Sequence, residues 1–248
     1  MKIYVISLKN SLDRRASIEQ QMTSHGLKFE FFDAIDGRID PPHPLFANYD
    51  YTKRLWLTSG KMPMRGELGC YASHYLMWQK CVELNAPIVV LEDDVIINEN
   101  FSQYLSIIKD KTNEYGFLRL EPEVGKCRLF SKESKESKES KENYSIAFMD
   151  NNWGGTGGYS ISPDSARKLI LGSQKWSMTV DNYIGCTYIH KMPSYIFRPS
   201  MVEHGVEFET TFQNETRTRV PLYRKPTREI YSLYKKIRLK LFARKYAD

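Results

Sequence analysis

A short apolar run that leads directly into three consecutive acids constrains this chain more than any other feature of its sequence. Pro87–Leu91 is compact and rich in β-branched residues, which is typical of a strand buried on both faces of a parallel sheet. Glu92, Asp93 and Asp94 follow it without a break. Since open α/β sheets bind ligands at the carboxyl ends of their strands, the three acids are predicted to lie at a ligand site.

The acidic triplet itself indicates a metal ion. Three adjacent carboxylates repel one another, and a divalent cation offsets that repulsion. In an extended backbone Glu92 and Asp94 point to one side and Asp93 points to the other. We therefore expect Glu92 and Asp94 to flank the ion, and Asp93 to receive ribose or neighbouring backbone groups. Without the buried strand before it, such a triplet is more often a solvated loop.

The remaining pattern predicts an α/β fold. Ile3–Leu8 has the composition of a strand, apolar residues at helical spacing follow it, and Leu27–Phe32 predicts a second strand. Gly66–Leu84 predicts a helix before the acidic strand, while residues 38–64 have no clear period. Further strands are expected at Phe117–Leu120, Cys127–Phe130, Tyr144–Phe148 and Tyr159–Ile161.

Charge divides the chain into two parts. Residues 217–248 carry eleven Lys and Arg against two acids, a net charge of +9 within an overall +6, so the remainder is slightly acidic. That distribution excludes a uniformly basic nucleic-acid binder. We expect a catalytic domain over residues 1–216 and a tail over residues 217–248. The Lys-Glu-Ser repeat at 132–142 is expected to form a solvated loop within the domain.

The tail predicts a basic amphipathic helix, because its apolar residues recur at helical spacing among lysines and arginines. Such a helix binds an anionic membrane surface, or else packs its apolar stripe on the catalytic domain or on a second subunit. No apolar run is long enough to span a bilayer or to form a signal-peptide core, and the four cysteines form no CxxC pair. The sequence therefore predicts a cytoplasmic protein, peripheral at the inner face of the cytoplasmic membrane.

Two further motifs suit a sugar diphosphate. Arg14 and Arg15 lie on the turn after the first strand, where guanidinium groups match diphosphate oxygens, although surface arginines of a helix are the alternative. Arg65 and Gly66 open the next helix, where glycine lets a ligand or a strand approach closely. His74, further along that helix, fits either a site residue or a satisfied, partly buried histidine.

A glycine-dense segment after residue 150 indicates a loop that faces a sugar. Glycines permit close approach, and aromatic rings offer an apolar face to the C–H groups of a pyranose. A tight turn between strands is the alternative. The expected acceptor-binding residues are Trp153, Gly155, Thr156, Gly157 and Tyr159.

Taken together, these motifs resemble glycosyltransferase family 25. The resemblance covers roughly residues 1–210 and rests on the motifs Val5–Leu8, Asp13–Arg15, Gly66–Cys70, Glu92–Asp94 and Gly155–Tyr159. It implies a GT-A-like, Rossmann-type nucleotide-sugar-binding domain, an inverting transfer from a UDP-sugar, commonly UDP-galactose, and dependence on Mn²⁺ or Mg²⁺. Many bacterial members extend lipooligosaccharide or lipopolysaccharide cores, so a lipid-linked oligosaccharide is the implied acceptor. The expected donor-binding residues are Ser7, Leu8, Arg14, Arg15, Arg65, Gly66 and Asp93.

An inverting transfer needs a base for the acceptor hydroxyl and a cation for the departing diphosphate. Asp181, just past the glycine-rich segment, is the expected base, and an N-cap of its helix is the alternative. His204 is expected to complete the metal shell with Glu92 and Asp94 and is better placed than His190, although it could be structural. The competing functions are a metal-dependent nucleotidyltransferase or phosphohydrolase acting on a sugar nucleotide, and a non-enzymatic carbohydrate- or membrane-binding module.

Overall fold

The computed structural model describes residues 1–135, 143–205 and 220–247. Within those residues the strands are β1 (Lys2–Ser7), β2 (Glu30–Asp33), β3 (Ile88–Glu92), β4 (Val95–Ile97), β5 (Phe117–Arg119), β6 (Leu129–Lys135), β7 (Tyr144–Met149), β8 (Gly158–Ile161), β9 (Tyr195–Arg198) and β10 (Val202–His204). The α-helices are α1 (Leu12–Ser24), α2 (Tyr51–Lys53), α3 (Arg65–Leu84), α4 (Phe101–Tyr115), α5 (Pro163–Gly172), α6 (Val180–Gly185), α7 (Thr187–His190) and α8 (Lys225–Ala243). Short 3₁₀ or π-helical turns lie at Pro44–Asn48, Arg54–Thr58 and Leu222–Arg224.

The described strands form one large sheet in the order β2-β1-β3-β8-β5-β9-β7-β6, and β4 pairs with β10 in a separate ribbon. β1 is parallel to β2 and β3, whereas β8 runs antiparallel to β3. In that register Leu91 pairs with Gly158, and the N–H of Glu92 donates to the carbonyl oxygen of Gly157 at 2.9 Å. The carboxyl end of β3 and the glycine-rich segment therefore share one edge of the sheet.

β3 is buried on both faces, as its apolar composition predicts. Ile88 and Val90 belong to the core layer on the side of α3 and α5, whereas Val89 and Leu91 belong to the layer on the side of α1 and α4. The four side chains have no exposed surface. Because both layers pack on β3, the acids at its end are carried by a rigid element.

This arrangement confirms the predicted α/β, GT-A-like fold, with β1, α1 and β2 forming the expected β-α-β opening and β3 ending at the acids. The second strand begins at Glu30 and not at Leu27, because Leu27 follows the turn that ends α1 and its N–H donates to the carbonyl oxygen of Met22. The irregular region at 38–64 contains the short helical turns named above.

The expectation of a loop at 132–142 is wrong for its first four residues. Lys132–Lys135 lie in β6, which pairs antiparallel with β7. The polar sequence is accommodated because Glu133 accepts hydrogen bonds from Tyr144 Oη at 2.7 Å and forms an ion pair with Lys111 Nζ at 2.6 Å. The other residues of the repeat, 136–142, lie outside the described residues.

The tail forms helix α8, and one side of this helix packs on the α/β part of the chain. Phe242 and Ala243 are buried, and Thr227 Oγ1 donates to the carbonyl oxygen of Trp56 at 2.6 Å. The other side exposes a stripe of apolar residues at helical spacing, Ile230, Leu233, Tyr234, Ile237 and Leu241. Among the described residues no helix is long and apolar enough to cross a membrane. The predicted domain boundary between residues 216 and 217 lies outside the described part.

Candidate functional site

A pocket opens where the first three parallel strands end. Its walls come from the end of β1, the residues after β2, the first turns of α3 and the acidic triplet. Among the residues that the sequence predicts to bind the donor, those that line the pocket are Ser7, Leu8, Arg14, Gly66 and Asp93.

Arg15 does not line the pocket but ties its walls together. The guanidinium group donates to the carbonyl oxygens of Ser7 at 2.9 Å and Leu8 at 3.2 Å, and it forms an ion pair with Asp33. These contacts bridge the ends of β1 and β2. Nε and Nη2 of Arg15 therefore bind the protein, and diphosphate binding by this residue stays a prediction.

Arg65 also lies outside the pocket lining, with an exposed side chain that donates to the carbonyl oxygen of Arg38 at 3.3 Å. The backbone around it is closely packed. A Cβ atom on Gly37 would lie 1.8 Å from the carbonyl oxygen of Arg65, and one on Gly69 would lie 2.2 Å from that of Ile35. These two glycines therefore allow the loop after β2 and the start of α3 to form one continuous wall.

Asp93 connects the acidic triplet to β1 and α1. Ser7 Oγ donates to its Oδ2 at 2.6 Å, and Arg14 Nη1 donates to its Oδ1 at 3.3 Å. Asp93 is 9% exposed, so both of its oxygens are engaged in a largely buried setting. The carboxylate thereby fixes Arg14 at the pocket, and a ribose hydroxyl would have to share these oxygens.

Glu92 is held by a chain of hydrogen bonds that begins in the core. Trp78 Nε1 donates to Tyr159 Oη at 3.1 Å, so the tyrosine proton is directed to Nδ1 of His74 at 3.0 Å. The Nε2–H of His74 then donates to Glu92 Oε1 at 3.1 Å, and Thr156 Oγ1 donates to the same oxygen. His74 is thus the satisfied, fully buried histidine of the two alternatives.

These hydrogen bonds decide the charge of Glu92. Burial raises the pKa of the carboxyl group, but the donors on His74 and Thr156 outweigh burial and hold the pKa below its usual value. Glu92 therefore stays ionised at neutral pH. Its Oε1 is already occupied by two donors, which leaves the other oxygen for any further ligand.

Asp94 differs from the other two acids of the triplet in having a buried oxygen with no hydrogen-bond partner among the described residues. This oxygen is Oδ1, while Oδ2 lies 3.8 Å from Arg14 Nη1. Burial, followed by the charge of Glu92, raises the pKa of Asp94 to about 6. A nearby cation would lower that pKa again and provide the missing partner.

His204 reaches the acids through the β4–β10 ribbon. It pairs with Val95 in the register, and the following N–H, of Gly205, donates to the carbonyl oxygen of Asp94 at 2.9 Å. Its Nε2 lies 3.0 Å from Oε2 of Glu121, and the contact with this carboxylate raises the pKa of His204. The imidazole is therefore engaged with a carboxylate next to the acidic triplet.

Glu121 is a site residue that the sequence analysis missed. It is 2% exposed, and besides His204 its carboxylate contacts Arg119 Nη2 at 3.2 Å. A signal was available, since Glu121 follows the apolar strand β5 much as the triplet follows β3. The contact between Glu121 and His204 could not be predicted, because the two residues are far apart in sequence and are brought together only by the fold.

The geometry fits a hard divalent ion at Asp94. The described chain brings one set of possible metal-ligand atoms within 4.8 Å of one another, those of Cys70, His74 and Glu92. Asp94 and His204 do not belong to this set. That set does not suit a metal, because burial raises the pKa of the Cys70 thiol well above its usual value and both nitrogens of His74 are hydrogen-bonded. Mg²⁺ is commonly held by one or two carboxylates plus substrate phosphates, and the unpartnered oxygen of Asp94 offers such a ligand.

The glycine-rich segment forms a tight wall of the site, as the turn alternative proposes. Thr156 is buried against Glu92, and a Cβ atom on Gly155 or Gly157 would lie within 3.0 Å of the Glu121 carboxylate. The expectation that Tyr159 binds the acceptor is wrong, because its ring lies in the core at 2% exposure, where strand alternation directs it. Trp153 is partly exposed at the start of the segment.

Asp181 lies in the first turn of α6 and does not line the pocket. Thr179 is the N-cap residue of that helix, so the capping alternative does not hold. The Asp181 carboxylate accepts from the N–H of Asn182 at 2.7 Å. Asp181 lies on the α3 side of the sheet, close enough to Glu67 on α3 to affect it. The pKa of Glu67 is raised mainly by burial, and the negative charge of Asp181 adds to that rise.

Comparison with known proteins adds a family relationship. Residues 1–184 match the model of a family described as glycosyltransferase family 25 (LPS biosynthesis protein). The chain is 29% identical to the lipooligosaccharide biosynthesis protein lic2B of Haemophilus influenzae, over 67% of this chain and 61% of that protein. It is 28% identical to the lacto-N-neotetraose biosynthesis glycosyltransferase LgtE of Neisseria gonorrhoeae, over 68% and 60%. It is also 27% identical to human procollagen galactosyltransferase 2, over 75% and 30%. The chain thus spans about three fifths of the two bacterial relatives and less than a third of the human one.

Proposed function

Because the chain belongs to glycosyltransferase family 25, we propose that it transfers a hexose, with galactose favoured, from a UDP-sugar to the core of a lipooligosaccharide or lipopolysaccharide. The names of the bacterial relatives support this acceptor class, and that of the human relative supports galactose. The chain matches only part of each relative, so the proposed donor and acceptor also rest on the geometry of the site.

The single observation that carries the proposal is the unpartnered carboxylate oxygen of Asp94 in a pocket that also holds Arg14. Arg14 presents a guanidinium group fixed by Asp93, which suits a diphosphate oxygen. Asp94 would hold Mn²⁺ or Mg²⁺, with the second carboxylate oxygen of Glu92 and with His204 as the other candidate ligands. When bound, the ion would neutralise negative charge on the departing diphosphate. Ser7, Leu8 and Gly66 would contact the nucleoside.

The base of the inverting transfer is proposed to be Asp181. It would take the proton of the acceptor hydroxyl as the hydroxyl oxygen bonds to the anomeric carbon and the bond from that carbon to the diphosphate breaks. Its position on the α3 side, outside the donor pocket, is consistent with a group that serves the acceptor.

The exposed stripe of α8 is proposed to bind an anionic membrane surface at the inner face of the cytoplasmic membrane, where a lipid-linked acceptor would be available. The stripe is apolar over Ile230, Leu233, Ile237 and Leu241, and the exposed basic residue Lys245 lies beside Leu241. Each basic residue near such a surface contributes about 1 kcal/mol of attraction.

A donor screen tests the proposal. Hydrolysis and thermal shift are measured with UDP-galactose, UDP-glucose, UDP-N-acetylglucosamine and UDP-N-acetylgalactosamine, with and without Mn²⁺. Mn²⁺-dependent stabilisation by one donor, with UDP as the nucleotide product, is expected. Release of UMP or of sugar 1-phosphate would instead indicate a phosphohydrolase, and a pyrophosphate-dependent reaction would indicate a nucleotidyltransferase.

A further inference from the structure

A second concave surface lies outside the donor pocket, between α8 and the chain around Trp153. Its volume is about 710 Å³, within the range of about 300–1,000 Å³ for small-molecule sites. We call it the basic groove, because its charged lining consists of Lys126, Arg128, Lys235, Lys236 and Lys240 against the carboxylate of Asp150.

The charges of the basic groove are not balanced within the described chain. Arg128 Nε donates to Asp150 at 2.7 Å, so these two groups compensate each other. The four lysines have no carboxylate within 4.0 Å among residues 1–135, 143–205 and 220–247. Four ammonium groups thus face one groove with no anion to offset them.

Lys235 shows that the excess charge is not simply solvated. Its Nζ lies 3.5 Å from the centroid of the Trp153 ring, a cation–π contact that covers one face of the indole. Partial burial of this ammonium group lowers the pKa of Lys235. A bound anion would stabilise the charged form, which the surroundings of Lys235 disfavour.

The basic groove is connected to the acidic triplet by a short stretch of chain. Trp153 lines the groove, and Thr156, three residues later, donates to Glu92. Three residues span at most about 11 Å. Arg119 holds this chain on both sides of Trp153, because its Nη1 donates to Asn152 Oδ1 at 2.9 Å and to the carbonyl oxygen of Gly154 at 2.8 Å. A molecule bound in the groove can therefore extend a neighbouring sugar to the reacting centre.

We propose that the basic groove binds a phosphate or carboxylate group carried by the acceptor oligosaccharide, a few sugar units from the hydroxyl that is glycosylated. This proposal rests on the transfer function proposed above. An oligosaccharide is favoured over a lipid surface because the groove is concave and opens beside the glycine-rich segment, whereas the exposed apolar stripe lies on another side of α8.

The test uses deacylated lipooligosaccharide in three forms, native, dephosphorylated with hydrofluoric acid, and carboxyl-reduced. The wild-type protein is compared with Lys126→Glu and Lys235→Gln, and with Lys109→Glu on α4, an exposed lysine outside the groove, as the charge control. The readouts are kcat/KM for each form and, without donor, calorimetric Kd.

The wild-type protein and the control are expected to prefer the native form over one of the two treated forms. A lower kcat/KM on the dephosphorylated form identifies the anion as phosphate, and a lower kcat/KM on the carboxyl-reduced form identifies it as carboxylate. Each groove variant is expected to lower that preference about tenfold through KM, since hydrogen bonds to charged groups contribute that order of affinity. Added salt should weaken calorimetric binding of the native form to the wild-type protein.

Equal transfer to all three forms by the wild-type protein would overturn the groove proposal and leave the transfer function standing. Absence of both transfer and Mn²⁺-dependent donor binding would instead overturn the proposed function. If the groove variants lose binding to anionic vesicles while their acceptor preference stays that of the wild type, the groove is a membrane contact and the proposal is wrong.

Discussion

The Nε2 of the buried His74 lies 3.1 Å from Oε1 of Glu92, so a side chain with no exposed surface holds the first acid of the triplet. We expect His74→Phe, which removes the donor, to lower kcat/KM about tenfold or more, the order lost with one hydrogen bond to a charged group. His74→Gln retains a donor and should recover part of that loss. Steady-state kinetics with matched melting temperatures tests this; equal activity of the Phe and wild-type proteins would contradict it.

Asp94→Asn should stabilise the fold and abolish metal-dependent donor binding. Burial raises the pKa of Asp94 to about 6 in the folded protein, above the ordinary value near 4, so its ionised form is disfavoured in the fold at pH 7. Removing the charge should raise the free energy of unfolding by up to about 3 kcal/mol. The measurements are thermal unfolding without metal, and donor affinity with and without Mn²⁺. A lower melting temperature, or an unchanged effect of Mn²⁺, would refute the assignment.

Asp181→Asn keeps the shape of the side chain and removes the base. Turnover should fall by roughly 10² to 10⁴ while donor affinity changes little. Rapid-quench kinetics on the oligosaccharide acceptor, combined with donor titration, separates the two effects. Unchanged turnover would remove Asp181 from the chemistry, and a large loss of donor affinity would move it to the nucleotide site.

The double variant Leu233→Ser, Ile237→Ser tests the exposed stripe of α8. Both side chains are at least half exposed, so the substitutions should leave the melting temperature within about 1 °C while reducing co-sedimentation with anionic vesicles. Removing the whole helix would be a poorer test, because its other side packs on the domain through Phe242. Leu171→Ser, at a residue of α5 that is still more exposed, is the control for loss of an exposed apolar side chain. Vesicle binding that survives in the double variant at low salt would exclude the stripe as the membrane contact.

His190 makes stability depend on pH. It is buried as the neutral ring, with Nε2 donating to the carbonyl oxygen of Ile184 at 3.0 Å and Nδ1 accepting from the N–H of Met192 at 3.2 Å. Burial lowers its pKa to about 4. In the unfolded chain the pKa of His190 is near 6.5, so below this pH the unfolded chain binds a proton that the folded chain does not. The free energy of unfolding is therefore highest above pH 6.5 and falls by about 3 kcal/mol as the pH drops towards 4. Urea unfolding from pH 4 to 8 should show a smaller acid loss in His190→Gln than in the wild type; identical slopes would count against this.

The features that could be predicted are those encoded locally. β3 and its acids were predictable because a buried parallel strand is apolar throughout and the triplet follows it directly. Tyr159 was misassigned because its glycine neighbours suggest a loop, although the residue itself lies in β8 and its ring points into the core. Glu121 was missed because its role depends on His204, which is distant in sequence and is brought close by hydrogen bonds from Met201 and Val202 to the carbonyl oxygen of Leu120.

The tail shows a different limit of prediction from sequence. Helical spacing predicted α8 correctly, but a periodic apolar pattern does not reveal which of two apolar sides meets the protein. Phe242 packs inward and Ile237 faces outward, although both belong to the same helix. That choice depends on contacts with the turn at Arg54–Thr58, such as the hydrogen bond from Thr227 to Trp56, which lie far away in sequence.

The packing of Gly155 and Gly157 against Glu121 also decides where this protein can be redesigned. A side chain at either glycine would meet the Glu121 carboxylate at about 3 Å, so mutant libraries at these positions should yield mostly inactive protein. The exposed Lys236 lines the basic groove and carries no such restriction, whereas Trp153 packs against the core and against Lys235. Directed evolution of acceptor choice should therefore find its beneficial changes among the exposed residues of α8, while the glycine-rich part next to β8 remains invariant.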